Sequence, residues 1–127
     1  MHEQDKAILK SLVSVAWADG RVSHEETEVL EALLQAFEAT DSEATELREY
    51  AKTPRSIADI PLTELSTDDR RVLLQHAVLL TFIDGEQAAE EKTMLIALCE
   101  KLRIAQDEAT GLLAAAEGRA KKFLDLL

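Results

Sequence analysis

An internal repeat restricts the possible folds of this chain more than any other feature. Residues 10–43 align with residues 75–108 at an offset of 65, which places Gly20 on Gly85. The apolar identities fall mostly at the spacing of a helix core, whereas the polar identities concentrate in one turn of the form Asp-Gly-x4-Glu-Glu. A duplicated helix–turn–helix is the simplest interpretation of this pattern.

Helix-forming residues dominate the rest of the sequence, and runs of β-branched residues are absent. Both prolines fall in residues 53–65, which we interpret as a linker with one short helical turn. The sequence therefore predicts a single compact all-α domain over residues 1–127, with six or seven helices in two pseudo-equivalent hairpins. Apolar periodicity and capping residues place these helices at about 4–19, 23–39, 40–52, 66–83, 88–103 and 107–126.

Acidic residues far outnumber basic ones. The 25 Asp and Glu against 14 Lys and Arg leave a net charge of −11. Nucleic acid and anionic membrane surfaces both require basic patches, so neither is an expected partner. Ten of the acidic residues lie in residues 19–49, where Arg21 and Arg48 are the basic residues. We therefore expect one strongly acidic face, suited to cations or to a basic protein.

Cysteine usage and the chain's N-terminal residues indicate the compartment. Cys99 has no second cysteine to pair with, and its apolar neighbours predict a buried, unreactive thiol. The first residues lack the shape of a signal peptide, and no apolar run approaches the ~18 residues of a membrane span. We expect a cytoplasmic protein without direct membrane insertion. Because no catalytic motif is present, no enzyme activity is predicted.

Helix punctuation explains much of the repeated Asp-Gly turn. Gly20 and Gly85 suit the left-handed position that follows a helix C-terminus. Ser23-x-x-Glu26 has the form of a capping box, in which the hydroxyl and the carboxylate each bond one backbone amide. These roles need no ligand.

A cation site is the alternative interpretation of the same turn. Helical projection places the aspartates and the second glutamates on the apolar sides of their helices, where carboxylates need partners. An aspartate at a helix C-terminus also opposes the helix dipole, which a cation would offset. Oxygen ligands suit Ca²⁺, Mg²⁺ or Mn²⁺, but apolar residues at the first ligand positions exclude an EF-hand. The candidate metal ligands are Asp19, Glu26, Asp84 and Glu91, with Glu25 and Glu90 as weaker candidates.

The stretch AWADGRVSHEETEVLEALL resembles the turn signature of the tellurite-resistance TerB family, to which the N-terminal region of DjlA-type membrane co-chaperones is related. That signature has a small residue, Asp-Gly, an aliphatic residue two positions later, and a glutamate that opens an amphipathic helix. It is typically used twice in a duplicated all-helical domain. The first copy matches at Ala18, Asp19, Gly20, Val22 and Glu26, whereas the second copy, FIDGEQAAEEKTMLIALC, departs at Ile83 and Gln87.

The resemblance covers nearly the whole chain and implies a helical module linked to stress responses, including resistance to tellurium oxyanions. It implies action beside other resistance proteins, some of them membrane-associated, at the inner face of the membrane. Metal binding proposed for the family would carry over to Asp19, Glu26, Asp84 and Glu91. Co-chaperone activity does not carry over, because no J-domain signature is present. The alternative function is a metal-independent interaction module whose acidic face docks a basic partner.

Overall fold

A computed structural model describes residues 1–17, 20, 22–81 and 89–125, without the side chains of 89–91 and 123–125. The described residues form helices and no strand, so the predicted all-α class is confirmed. The linker contains two one-turn 3₁₀ helices, Ile57–Asp59 and Leu62–Glu64, where the sequence predicted one turn. The six α-helices are α1 (Glu3–Ala16), α2 (His24–Ala36), α3 (Asp41–Ala51), α4 (Thr67–Thr81), α5 (Ala89–Lys101) and α6 (Gln106–Asp125).

Local capping residues start three of these helices. Ser23, Thr40 and Ser66 each accept a hydrogen bond from the backbone N–H three residues later. In return, a side-chain oxygen of Glu26 accepts from the Ser23 N–H at 2.9 Å, and one of Asp69 accepts from the Ser66 N–H at 3.0 Å. These pairs satisfy amides that the first turn of a helix leaves free. The predicted helix starts at these positions are confirmed.

The helix boundaries recur at the offset of the sequence repeat. Adding 65 to residue 36, where α2 ends, produces residue 101, where α5 ends. The same offset relates the start of α3 at 41 to the start of α6 at 106. The structural correspondence therefore extends to α3 and α6, most of whose residues lie after the ends of the aligned segments at 43 and 108.

The turn that ends α2 recurs at the end of α5. Glu38 and Arg103 have φ angles of 58° and 59°, in the left-handed region that residues other than glycine rarely adopt. After each of them, the next backbone N–H donates to a carbonyl five residues earlier, that of Leu34 in the first turn and that of Cys99 in the second. This is the Schellman arrangement, and it caps both helices in the same way.

Helices α1 and α4 form the centre of the domain. α1 packs against α2, α3 and α4, while α4 packs against α1, α5 and α6, so the two copies meet along α1 and α4. Burial of these apolar side chains supplies the main driving force for folding. The largest fully buried apolar side chains are Leu9, Leu12, Val13, Leu73, Leu74, Val78, Leu95, Leu98 and Leu102.

Arg70, at the start of α4, joins the linker to the end of α5. Its guanidinium donates to three backbone carbonyls, those of Leu62 at 3.1 Å, Leu65 at 3.3 Å and Leu102 at 3.2 Å. Carbonyls at the end of a helix lack partners within the helix and carry partial negative charge, which a cation stabilises. One side chain thus connects the linker to the C-terminal end of α5.

Over the described residues, no helix combines the length and the apolar character that crossing a membrane requires.

Candidate functional site

The first Asp-Gly turn connects α1 to α2, and its described residues are Trp17, Gly20, Val22 and Ser23. Gly20 has a φ of 89°, which confirms the predicted left-handed glycine, and its N–H donates to the Trp17 carbonyl at 2.9 Å. The Trp17 indole Nε1 donates to the Ala51 carbonyl at 3.0 Å. This bond fixes the start of the turn to the end of α3.

Glu26 is half-buried and is engaged in helix capping. Its Oε1 accepts from the Ser23 N–H, and its own N–H donates to the Ser23 hydroxyl at 3.1 Å. Helix punctuation is therefore confirmed as a role of Ser23 and Glu26. Glu25, in the same first turn, is exposed to solvent.

The remaining candidate metal ligands lie outside the described part of the structure. Asp19 and Asp84 lie outside the described residues, as do the side chains of Glu90 and Glu91, whose backbones belong to the first turns of α5. Within the described part of the chain, no three His, Cys, Asp or Glu side chains converge as a metal site requires. The site formed by the repeated carboxylates, with Ca²⁺, Mg²⁺ or Mn²⁺ as its ion, stays a prediction.

Ion pairs within the molecule neutralise part of the acidic segment. Arg48 binds Glu31 through two hydrogen bonds, of 2.7 and 2.8 Å, which join α3 to α2. This contact holds the pKa of the Glu31 carboxyl below its ordinary value. On the other side of α3, Lys6 and Lys10 of α1 lie 2.8 and 3.5 Å from Glu46. The acidic face is therefore less negative than the sequence alone predicts.

Helix α2 retains exposed carboxylates that no described Lys or Arg neutralises. Glu25 and Glu28 are both exposed, and Glu28 contacts only the imidazole of His24, at 3.0 Å, in the described ion pairs. The His24 side chain is itself 81% exposed. A partner could reach this exposed surface, and Glu38 and Asp41 of the same acidic segment are exposed as well.

His76 and Cys99 each line a cleft between helices. His76 is half-buried on α4, and this burial lowers its pKa, which favours the neutral ring. Burial, reinforced by Glu100, raises the pKa of the Cys99 thiol. The prediction of a buried cysteine is therefore confirmed, and the raised pKa favours the thiol over the more reactive thiolate.

Clefts between helices were not visible in the sequence. One has a volume of about 310 Å³ between α2 and α3, one has about 390 Å³ between α5 and α6, and one of about 290 Å³ lies between α4 and α6. The cleft between α2 and α3 is lined mostly by apolar surface, whereas the cleft between α5 and α6 has nearly as much polar as apolar surface. Apolar periodicity predicts which residues face inward, but it does not predict where two neighbouring helices leave a cleft between them.

No family model, no curated protein and no solved structure matches this chain. The resemblance to the TerB family therefore rests on the two turn segments, residues 16–34 and 82–99, and stays a prediction.

Proposed function

We propose that the protein is a TerB-like interaction module of a stress response, which docks a basic partner protein through the carboxylates exposed on α2. The proposal rests on the excess of acidic over basic side chains on that helix. α2 contains four glutamates and no Lys or Arg. Glu31 forms an ion pair with Arg48, whereas Glu25 and Glu28 are exposed to solvent.

Electrostatics favours such a role for an acidic helix. Exposed carboxylates of one sign attract a basic surface over several ångströms, speed its encounter and disfavour acidic partners. The link to tellurite resistance, the membrane-associated resistance proteins as partners, and a cytoplasmic position at the inner membrane face come from the resemblance and belong to the same proposal.

Charge reversal on α2 tests the interaction. We expect the variant with Glu25→Lys and Glu28→Lys to bind a basic partner, captured from the host lysate, at least tenfold more weakly than the wild type. Binding by the wild type should also weaken as salt rises, because exposed charges are screened. Quantitative pull-down with mass spectrometry at two salt concentrations measures both effects.

The matched control reverses two exposed acids elsewhere, with Glu64→Lys and Asp68→Lys, and changes the net charge by the same amount. A partner lost equally from both variants, or one insensitive to salt, would count against docking through α2.

Divalent cation binding at the Asp-Gly turns is the second candidate function. The observation that favours it is the position of Glu26, whose carboxylate is folded back onto the Ser23 amide three residues after Gly20. It therefore lies beside the turn, where the sequence places Asp19. A hard cation there would take oxygen ligands from both residues.

Metal binding should appear as added thermal stability. An ion that binds only the folded state stabilises it by about 2.7 kcal/mol at 100 times its Kd. We expect millimolar Ca²⁺, Mg²⁺ or Mn²⁺ to raise the Tm, and the variant with Asp19→Asn and Asp84→Asn to lose this shift. Glu28→Gln, which removes an exposed carboxylate, should keep it. An unchanged wild-type Tm at millimolar ion would contradict the metal site.

A further inference from the structure

The groove between α2 and α3 borders the acidic surface of α2. Its floor is apolar, because Leu30, Leu34 and Leu47 line it and are buried. Val22 and Ala51 also line the groove and are half-buried. An apolar group that covers this lining removes apolar surface from water, which favours its binding.

A row of carboxylates leads from the edge of this groove onto the outer side of α2. Glu31 lines the groove, and Glu28 and Glu25 precede it at intervals of three residues. Residues three positions apart are neighbours on a helix surface, so the three side chains form a continuous row. Glu25 and Glu28 are exposed, and Glu28 contacts the imidazole of His24 at 3.0 Å. The groove and the exposed carboxylates of α2 therefore belong to one continuous surface.

Both of the described cations that line the groove are paired with carboxylates of the same two helices. Arg48 binds Glu31 through hydrogen bonds of 2.7 and 2.8 Å, and Lys52 lies 2.9 Å from Glu49. Glu31, and to a smaller extent Asp41, raise the pKa of the Arg48 guanidinium, so positive charge is favoured at this position. The two cations therefore do not make the groove a basic surface.

The charge balance of the two helices indicates the sign of the partner. α2 and α3 contain eight acidic residues and one basic residue, Arg48, whereas α5 and α6 of the second copy contain seven acidic and five basic residues. Arg21, Lys52 and the two lysines of α1 that pair with Glu46 reduce the excess on α2 and α3 but do not cancel it. Acidic surface around an apolar groove complements an apolar side chain that is flanked by Lys or Arg.

The size of the groove determines how much of a partner enters it. Its volume is about 310 Å³. A helix with its side chains is about 10–12 Å across, so the groove admits apolar side chains but not a whole helix. An apolar anchor in a pocket, surrounded by a polar rim, is a frequent arrangement of the strongest contacts at protein interfaces.

We propose that the groove between α2 and α3 receives an apolar side chain of the basic partner protein, while flanking Lys or Arg residues of that partner pair with Glu28 and Glu25. This assignment rests on the proposed interaction function and specifies its contact surface. The carboxylates attract any basic segment, and the groove selects a segment that also carries an apolar anchor.

Two lysine-rich synthetic peptides separate these contributions. They are identical except at the central position, where one has leucine and the other has serine. We expect the leucine peptide to bind roughly tenfold more tightly or better, because its side chain leaves water in the groove. Calorimetry measures both affinities. Fluorescence of Trp17, the one tryptophan of the chain, locates the contact, because its indole binds the carbonyl of Ala51 in the groove wall.

A larger side chain in the groove tests the site directly. Ala51→Phe fills the groove from the end of α3, and Thr27→Phe fills it from an exposed position on α2. We expect each variant to bind the leucine peptide at least tenfold more weakly than the wild type and the serine peptide with unchanged affinity. Ala115→Phe, at an exposed position on α6, is the matched control and should retain full affinity for both peptides. Circular dichroism establishes that each variant is folded.

Equal affinity of the leucine and serine peptides for the wild type, or no binding of either at millimolar concentration, would overturn the groove assignment. If both peptides bind equally and both are lost from the variant with Glu25→Lys and Glu28→Lys, the proposed interaction through α2 stands without the groove. If glutamate in place of every lysine leaves the binding of the leucine peptide unchanged, the basic partner fails. Self-association of the protein alone that Ala51→Phe abolishes in sedimentation experiments would make the occupant a second copy.

Discussion

Replacement of Arg70 by methionine is expected to lower the free energy of unfolding by about 2–4 kcal/mol, because hydrogen bonds to charged groups contribute more than neutral ones. Three backbone carbonyls, those of Leu62, Leu65 and Leu102, would lose their guanidinium donor. They belong to the linker and to the end of α5, so the loss weakens the connection between those parts. Urea unfolding followed by circular dichroism measures the change.

The neighbouring Arg71 provides the matched control. It pairs with Glu108 on α6 in an exposed contact, and exposed ion pairs contribute about 1 kcal/mol or less. Arg71→Met should therefore cost far less than Arg70→Met. Arg70→Lys should recover only part of the loss, because one ammonium cannot reproduce the fork of a guanidinium. Equal losses for Arg70→Met and Arg71→Met would show that the carbonyl contacts contribute little.

Truncation of Leu73 to alanine is expected to cost about 2–5 kcal/mol, the range for a fully buried leucine in a packed core. Leu73 is 0% exposed and lies on α4, the helix that packs against α1, α5 and α6. The missing methyl groups leave a cavity where the two copies meet, and rigid neighbours fill it only in part. Thermal and urea unfolding should both record a lower stability.

Val72→Ala is the control for that truncation, since Val72 precedes Leu73 on the same helix but is 37% exposed. Its loss should be about 1 kcal/mol or less, because less apolar surface leaves the core. A similar loss of stability in both variants would mean that the buried side of α4, which carries Leu73, does not form the packed interface between the copies.

The acidic segment illustrates how charge and fold combine in this protein. Its composition predicts one continuous acidic face, yet Arg48, Lys6 and Lys10 engage two of its glutamates. The outer side of α2 remains accessible, as do Glu38 and Asp41. In the second copy, Ile96 and Leu113 stand at the positions of Glu31 and Arg48, and Ile96 is exposed beside Glu100. The two halves of the repeat thus differ at this pair of positions, which forms an ion pair in the first copy and is apolar in the second.

Most of the helices could be predicted from the sequence, and much less of the candidate site. The capping boxes at Ser23 and Thr40 involve residues only three positions apart, so the sequence itself contains the whole interaction. The pairing of Glu46 with Lys6 could not be predicted in this way, because it depends on how α3 lies against α1. Asp19 and Asp84 lie outside the described residues, so the thermal-shift experiment tests the prediction that they bind a metal ion.

By itself, the sequence determined the helical class, the helix starts, the left-handed glycine at position 20 and the offset of 65 between copies. Each of these follows from interactions within a few residues or from direct repetition of the chain. Only the tertiary structure decided that Arg70 reaches Leu102, 32 residues away, and that an ion pair spans one groove while Ile96 borders the other. The physical reason is that such contacts depend on helix packing, which brings together side chains that no local pattern relates.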